Sequence, residues 1–305
     1  LDDYIADAGI NLADFNGITD QVTVDGSLYE LPFRSDYWLI YYNKDVFDAA
    51  GIAYPSNDMT IEDYDALARQ LTDTTYGSQV YGCHYHTWRS AVELFGILDG
   101  KHSILDGNYD WMIPYYDMIL SEEDDGVCQT YTDLSTEGLH YSAAFSNGNV
   151  AMMNMGSWFI STLISNLDSG EYDSSLCGNW GIASYPHPDG AEAGSTIATI
   201  TGLAVTSASA NKDAAFDFVN WVSGTEGAKV MASTGNFPAI MTDDVINTIA
   251  GMAGFPTDES SKEALNITNA YLEVPYAENV SEINSILDTY HTSIMNREVT
   301  VEEGV

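Results

Sequence analysis

The stretch Phe145-Ser-Asn-Gly-Asn-Val-Ala-Met-Met-Asn-Met-Gly-Ser-Trp158 predicts a turn, a buried strand and the start of a helix, in that order. The Asn147-Gly148 pair supplies the turn, and residues 150–155 form an apolar run of strand length. Ser157 is the predicted N-cap of the helix. The Trp158 indole then lies in the first helical turn, beside free backbone N–H groups. That position favours a polar ligand with a flat apolar face, and the alternative is an indole packed in an interdomain core.

Length and charge restrict the class of protein. The chain has 305 residues, of which 45% are apolar, and this length favours two domains over one. Lys and Arg number 9 against 46 Asp and Glu, so the formal net charge is −37. This acidity excludes nucleic acid as a partner because phosphate binding needs clustered Lys and Arg, and it disfavours an anionic membrane surface. The apolar content favours a folded protein whose carboxylates form a solvated face.

Motifs for membrane insertion, metal binding and catalysis are missing from the sequence. No apolar run approaches the length of a membrane span, and Leu1 opens no recognisable signal peptide. The cysteines, Cys83, Cys128 and Cys177, lack the spacing of a metal site, and their odd number leaves at least one thiol free or paired between chains. The sequence has no nucleophile elbow, phosphate-cradling glycine loop or His-Glu-x-x-His helix. These observations favour a protein with no catalytic activity, cofactor or metal.

The order of predicted elements indicates an α/β protein, because strands alternate with helices. Residues 1–20 predict a short helix and a loop, and residues 38–42 predict a compact strand. Thr60-Ile-Glu-Asp63 fits a capping box at the start of a helix. Apolar residues at helical spacing predict further helices over 215–222 and 280–290.

Four sequence blocks identify a family. They are Gly26-x-x-Tyr-x-Leu-Pro32; Leu39-x-Tyr-x-Asn43-Lys-Asp-x-Phe-x-x-Ala-Gly51; Phe145 to Trp158; and Gly202-Leu-Ala-Val-Thr-Ser207 with Ala215-x-x-Phe-Val-x-Trp221 and Asn236-Phe-Pro238. In this order the blocks resemble extracellular solute-binding protein family 1, the sugar-binding subunits of bacterial ABC importers. Each block alone is a weak signal, whereas the series over residues 26–240 is specific to the family and much less specific to the ligand.

The resemblance implies a periplasmic-binding-protein-like α/β fold of class II, with two lobes and a ligand cleft between them. Each lobe is expected to have a mixed β-sheet flanked by helices. The expected division is residues 1–38 plus 203–237 in the first lobe and 43–198 plus 240–305 in the second, with crossings near 38–42, 199–202 and 236–239. The family normally has a strand-helix-strand-helix region before the segment equivalent to Leu1. We therefore expect the first lobe to be incomplete in this chain.

Ligand-binding residues are expected where hydrogen-bonding groups lie beside aromatic rings, as sugar recognition requires. The resemblance places Asp36 where a family carboxylate often accepts sugar hydroxyls, Trp158 at the cleft aromatic, and Tyr85 at a ring that stacks on sugar. An exposed turn carboxylate is the alternative for Asp36. His84 and His86 alternate, but two histidines alone do not make a metal site. The remaining expected ligand-binding residues are Arg34, Tyr37, His86, Trp88, Ser157, Thr201 and Asn236.

The function that the resemblance implies is a non-catalytic receptor for a carbohydrate, specifically an oligosaccharide. It would capture the sugar by cleft closure and deliver it to the membrane permease subunits of an ABC importer. The implied protein is a monomer outside the cytoplasm, as a cell-surface lipoprotein or in the periplasm.

Two alternative functions remain open at this point. The first alternative is the same fold with a polyamine, a peptide or ferric iron as its ligand. Iron would need adjacent tyrosines, and Tyr41-Tyr42 and Tyr115-Tyr116 are the available pairs. The second alternative is a glycosidase that uses two of the many carboxylates. We favour sugar because Asp36, Tyr85 and Trp158 fall at the family's sugar contacts.

Overall fold

The computed structural model describes residues 1–15, 17–73 and 79–305. The strands are β1 (Glu30–Asn43), β2 (Tyr81–His84), β3 (Val150–Gly156), β4 (Trp180–Ser184), β5 (Ser195–Ala204) and β6 (Asn269–Leu272). The helices are α1 (Asp2–Ala8), α2 (Ile18–Gln21), α3 (Lys44–Ala50), α4 (Ile61–Asp73), α5 (Ser90–Ile97), α6 (Ile113–Asp124), α7 (Tyr131–Glu137), α8 (Tyr141–Ser146), α9 (Trp158–Ser169), α10 (Ser174–Cys177), α11 (Lys212–Ser223), α12 (Thr225–Ala232), α13 (Asp243–Ala250), α14 (Glu259–Glu263), α15 (Val280–Met295) and α16 (Val301–Gly304), with short 3-10 turns at Leu12–Phe15 and Asp110–Met112.

The long strand β1 connects two groups of strands. Its residues 30–37 pair antiparallel with β5, and β6 continues that group in parallel with β5. Its residues 38–43 pair antiparallel with β3 and β4, and β2 lies parallel to β3. Both groups are therefore mixed, and helices flank them, which confirms the predicted α/β class.

The sequence predicts a strand over 38–42, and the structure confirms it as the second half of a much longer strand. The strand passes through Pro32, and its register shifts between Pro32 and Arg34. A proline lacks the N–H that a regular ladder needs, but an irregularity in the pairing tolerates it.

Three chain segments run side by side where β1 changes its partners. Opposite Asp36, β5 contributes Thr199. On the other edge of β1, the N–H of Ser35 donates to the carbonyl of Phe237 at 3.2 Å, and the N–H of Ala239 donates to the carbonyl of Phe33 at 3.0 Å. The residues of β5 and of the third segment lie in the crossings predicted near 199–202 and 236–239, whereas the β1 residues lie just before the crossing predicted near 38–42. The assignment of residues to lobes stays a prediction.

Local signals in the sequence are reproduced where they involve close neighbours. The backbone N–H of Asp63 donates to the Thr60 hydroxyl at 3.1 Å, and the N–H of Thr60 donates to the Asp63 carboxylate at 3.2 Å, so the predicted capping box is confirmed. All seven residues of β3 are buried, as the apolar run predicts. The helices predicted over 215–222 and 280–290 are α11 and α15.

The centre of the core lies around the second half of β1. Tyr41 and Tyr42 are fully buried there, with Phe47, Phe145 and Phe159 packed beside them. Among the helices in the described ranges, none combines the length and the apolar character that crossing a membrane demands.

Candidate functional site

One face of β1 carries the first set of candidate side chains. Successive side chains of a strand point to opposite faces, so Arg34, Asp36 and Trp38 share one face. In the β1–β5 register, Thr201 lies opposite Arg34 and Thr199 opposite Asp36. Residues directly opposite in an antiparallel pair project to the same side, so the two threonines extend this face onto β5.

The Asp36 carboxylate is buried and held on two sides. It is 5% exposed, its Oδ2 lies 2.6 Å from the Nε of Arg34, and its Oδ1 accepts a hydrogen bond of 2.9 Å from the Ser157 hydroxyl. Burial raises the pKa of Asp36, while the charge of Arg34 and the hydrogen bonds from Arg34 and Ser157 oppose that rise. Asp36 is therefore a fixed, paired carboxylate and not an exposed turn residue.

Ser157 joins the start of α9 to β1. Its backbone N–H donates to the carbonyl of Tyr37 at 2.8 Å, and its hydroxyl oxygen accepts from the N–H of Tyr37 at 3.2 Å. The predicted helix-capping role of the Ser157 side chain is wrong, since that side chain makes no capping hydrogen bond and bonds to β1 and Asp36 instead. A buried carboxylate is a stronger acceptor for the hydroxyl than a neutral group.

Gly156 explains how Trp158 is placed. A Cβ at residue 156 would lie 2.0 Å from the Cζ3 of the Trp158 ring, so the indole lies directly against the backbone of Gly156. Any larger residue at 156 would displace the ring. The Gly-Ser-Trp order thus fixes both the ring position and the link between α9 and β1.

Three tryptophans form a cluster beside Asp36, which we call the indole cluster: Trp38, Trp88 and Trp158. The ring centroids of Trp38 and Trp158 are 5.6 Å apart in an edge-to-face arrangement, and Trp88 lies 6.5 Å from Trp38 and 6.3 Å from Trp158. Trp38 is 2% exposed, Trp158 is half-buried, and Trp88 is 40% exposed. The buried ring supports two others that present apolar surface to solvent.

Tyr141 and His86 border the indole cluster. The Nε1–H of Trp158 donates to the hydroxyl of Tyr141 at 3.1 Å, and the Tyr141 ring lies 5.6 Å from Trp88. His86 lies edge-on to Trp88 with centroids 4.6 Å apart. Burial lowers the pKa of His86 to about 4, and neighbouring His140 contributes to the shift. The imidazole is therefore neutral near pH 7, where it donates or accepts a hydrogen bond without charge.

A further carboxylate, Glu273, connects β5 to the start of α5. Its Oε2 accepts a hydrogen bond of 2.8 Å from the hydroxyl of Thr199, and its Oε1 accepts from the hydroxyl of Ser90. A cavity of about 300 Å³ between β5 and the segment after β6 shares Thr199 and Glu273. Glu273 thus adds fixed carboxylate oxygens at the edge of β5 that pairs with β6, which is the edge opposite β1.

Three predicted residues lie apart from this group. Tyr85 is 6% exposed, and its ring packs against Tyr64 and Phe95 with centroids 6.4 Å away, so its faces are covered by core residues. Tyr37 points to the opposite face of β1 and packs edge-on against Phe237. The side-chain amide of Asn236 donates to the hydroxyl of Thr234, within its own loop. The structure therefore does not bring these three side chains together with Asp36 and the indole cluster.

The structure adds residues that the sequence reasoning did not select. Trp38 follows Asp36 by two positions, so strand alternation alone would have put it on the same face. Tyr141 and Glu273 have no such signal, because they reach the site from distant parts of the chain.

Comparisons with known proteins agree with this architecture. The model of the family described as bacterial extracellular solute-binding protein matches residues 1–229. The crystal structure of a sugar transporter from Rhizobium etli in an open conformation is 48% identical, has a TM-score of 0.92, and the match covers 99% of this chain and 76% of that one.

More distant similarity is found to a further solved structure and to a curated sequence. An ABC substrate-binding protein from Listeria monocytogenes, solved in complex with cycloalternan, is 22% identical with a TM-score of 0.75, and the match covers 97% of this chain and 73% of that one. A mannitol-binding protein from Pseudomonas aeruginosa is 24% identical over 223 residues, which is 70% of this chain and 49% of the relative. The chain thus spans about half the length of that curated relative. From the family match over three quarters of its residues, the chain belongs to the bacterial extracellular solute-binding protein family.

Proposed function

We propose that this protein is a non-catalytic receptor that binds an oligosaccharide between two lobes. The observation that carries the proposal is the indole cluster next to the paired Asp36 carboxylate, at the strand that links the two groups of strands. Exposed indole faces suit the C–H faces of a sugar, and each stacked ring contributes about 0.5–1.5 kcal/mol beyond area burial. Buried, fixed oxygen and nitrogen atoms suit sugar hydroxyls because they lose little conformational freedom on binding.

The relatives support the ligand class without specifying the sugar. The Rhizobium etli protein is named a sugar transporter, and the Pseudomonas aeruginosa protein a mannitol-binding protein. We propose that Trp158, Trp88, Asp36, Arg34, His86, Ser157 and Thr201 contact the ligand or hold the groups that do. Because of their positions in the structure, we add Trp38, Tyr141 and Glu273 to this set.

The alternative ligands have less support in the described residues. A polyamine needs carboxylates free to pair with ammonium groups, and Asp36 is already paired with Arg34. Ferric iron needs accessible tyrosine hydroxyls. Tyr41 and Tyr42 are fully buried, and the Tyr116 hydroxyl bonds to His291.

Delivery to an importer completes the proposed function. Closure of the two lobes over the sugar would present a face that the membrane permease subunits of an ABC importer recognise. The family description places such proteins outside the cytoplasm. We propose a monomer that works there, in the periplasm or as a cell-surface lipoprotein.

The direct test is a thermal-shift screen of the purified protein with mono- and oligosaccharides, with a linear polyamine and a short peptide as other ligand classes. At a concentration one hundred times the dissociation constant, a ligand adds about 2.7 kcal/mol of stability, which raises the melting temperature by several degrees. We expect this rise in melting temperature with at least one sugar, and no rise with the polyamine or the peptide. A rise with the polyamine alone would contradict the proposal.

A second measurement separates the receptor from a glycosidase. The sugar that raises the melting temperature is incubated with the protein for a day and analysed for hydrolysis products. We expect the sugar to be recovered intact. Turnover of that sugar would contradict a non-catalytic receptor and favour the glycosidase alternative.

A further inference from the structure

Cys83 and Cys128 meet in the interior, although 44 residues separate them and the proposed function uses neither. Both side chains are buried, and the structure holds them as separate thiols. The two sulfur atoms and a carboxylate oxygen of Glu122 all lie within 4.8 Å of one another. We call these three residues the thiol cluster.

A backbone hydrogen bond joins β2 to the residue before Cys128. The N–H of Cys83, on β2, donates to the carbonyl of Val127, the residue before Cys128, at 3.4 Å. Residues 127 and 128 lie in a bend beside β2, and the two sulfur atoms lie within 4.8 Å of each other. The side chains also point the same way, since both sulfurs belong to the one cluster.

The thiol cluster offers three ligand atoms, one fewer than a structural zinc site holds. Burial raises the pKa of Glu122 to about 8 and also raises the pKa of the Cys83 and Cys128 thiols. The Cys83 thiol donates to Glu122 at 3.6 Å, and nearby Arg69 is paired with Asp65 and Asp125. A metal would need these ligands deprotonated. Disulfide exchange proceeds through a thiolate, so the raised pKa of the buried thiols favours exchange before the two cysteines are buried.

Cys177 has different surroundings. It lies on α10, is fully buried, and its thiol donates to the carbonyl of Asp173 at 3.7 Å. It therefore has a local partner within its own helical turn and is not part of the thiol cluster.

We propose that Cys83 and Cys128 form an intramolecular disulfide when the protein folds outside the cytoplasm, while Cys177 stays reduced. The proposal rests on the extracytoplasmic location in the proposed function, because disulfides persist in oxidising compartments. Two S–H bonds break and one S–S bond forms. The two electrons and two protons pass to the disulfide of a thiol oxidoreductase or a small-molecule disulfide, which becomes two thiols. The exchange takes place during folding, since both sulfurs are buried afterwards.

The consequence is a covalent link between β2 and the segment after α6. It closes a loop that contains α5 and α6, and so it reduces the conformational entropy of the unfolded chain. His86 and Trp88 lie in the same loop, a few residues after Cys83. The disulfide therefore stabilises the segment that carries these two residues of the candidate site.

The test begins with a thiol count on the wild-type protein. The protein is unfolded, refolded with oxidised and reduced glutathione, unfolded again, and titrated with a maleimide. We expect one reactive thiol, three after reduction, and an intact mass lower by two hydrogens before reduction. Digestion without reductant should give a peptide pair that joins residues 83 and 128.

Variants provide the matched controls. Cys177→Ala should have no reactive thiol and keep the disulfide, whereas Cys83→Ala should have two and lack it. Reduction should lower the melting temperature of the wild type and of Cys177→Ala by about 5–10 °C, and should not change that of the Cys83→Ala/Cys128→Ala double variant.

Three results would overturn the proposal: three reactive thiols after oxidative refolding, a disulfide that involves Cys177 or a second chain, or a stoichiometric zinc ion whose removal by a chelator exposes the thiols. The thiol count needs no sugar, so its failure is distinct from a failure of ligand binding. The location is checked separately by the thiol count of protein recovered from extracytoplasmic and cytoplasmic fractions.

Discussion

Replacement of Trp158 by alanine is the sharpest test of the proposed sugar site. The indole is half-buried, its inner side lies against Gly156, and its edge contacts Trp38. Covering the open part of such a half-buried ring with a sugar contributes about 1 kcal/mol from the apolar surface removed from water. Stacking adds about 1 kcal/mol. The sum of about 2 kcal/mol corresponds to an affinity about 30-fold weaker.

The assay is isothermal titration with the sugar found by the thermal-shift screen. Trp221→Ala is the matched control, because Trp221 lies on α11, is 52% exposed and belongs to no described ring pair. We expect Trp158→Ala to weaken binding at least tenfold and Trp221→Ala to leave the affinity within twofold of the wild type. Thermal melting without sugar should show both variants folded.

Two results would refute the reasoning. If Trp158→Ala binds the sugar as tightly as the wild type, the indole is not part of the site. If Trp158→Ala and Trp221→Ala weaken binding equally, the effect is global and the indole cluster has no special role.

Three further predictions concern Asp36, Gly156 and His84. Asp36→Asn should weaken sugar binding about tenfold and destabilise the fold by about 1–3 kcal/mol, because half-buried Arg34 loses its counter-charge and the Ser157 hydroxyl loses a charged acceptor. Titration and urea unfolding measure both effects, and a loss of stability alone would make Asp36 purely structural. Gly156→Ala should displace the Trp158 ring, which near-UV circular dichroism detects, and should weaken binding at least fivefold; an unchanged spectrum and affinity would contradict the placement of the ring. The pKa of buried His84 is lowered to about 3 from an ordinary 6.5, so its contribution to stability is complete above pH 6.5 and is lost as the pH falls towards 3. Between pH 7 and pH 5 this costs about 2 kcal/mol, and His84→Gln should remove that part of the pH dependence; equal slopes in urea unfolding would disprove it.

The sequence predicted the elements whose signals are local. The apolar run of β3, the capping box before α4 and the helical spacing in α11 and α15 each depend on residues within a few positions of one another. Backbone hydrogen bonds and side-chain periodicity act over that range, so the pattern alone is sufficient. The family blocks add the order of these elements along the chain.

The sequence was less informative about side-chain direction. It selected Tyr85 as a stacking ring, and the structure buries that ring between Tyr64 and Phe95. Ser157 has the residue type and position of an N-cap, yet its hydroxyl bonds to Asp36. In both cases a local preference competes with tertiary contacts. Burial of the Tyr85 ring and the hydrogen bond to the Asp36 carboxylate make the larger contributions to the free energy of folding.

By itself, the sequence determined the α/β class, the acidic surface and the Gly-Ser-Trp segment that carries Trp158. Only the tertiary structure decided that Ser157 bonds to Asp36, 121 positions away, and that Trp38 and Trp88 gather around Trp158. Contacts at such separation depend on strand register and on the angle at which helices pack. These are set by the whole core and not by any short stretch of the chain.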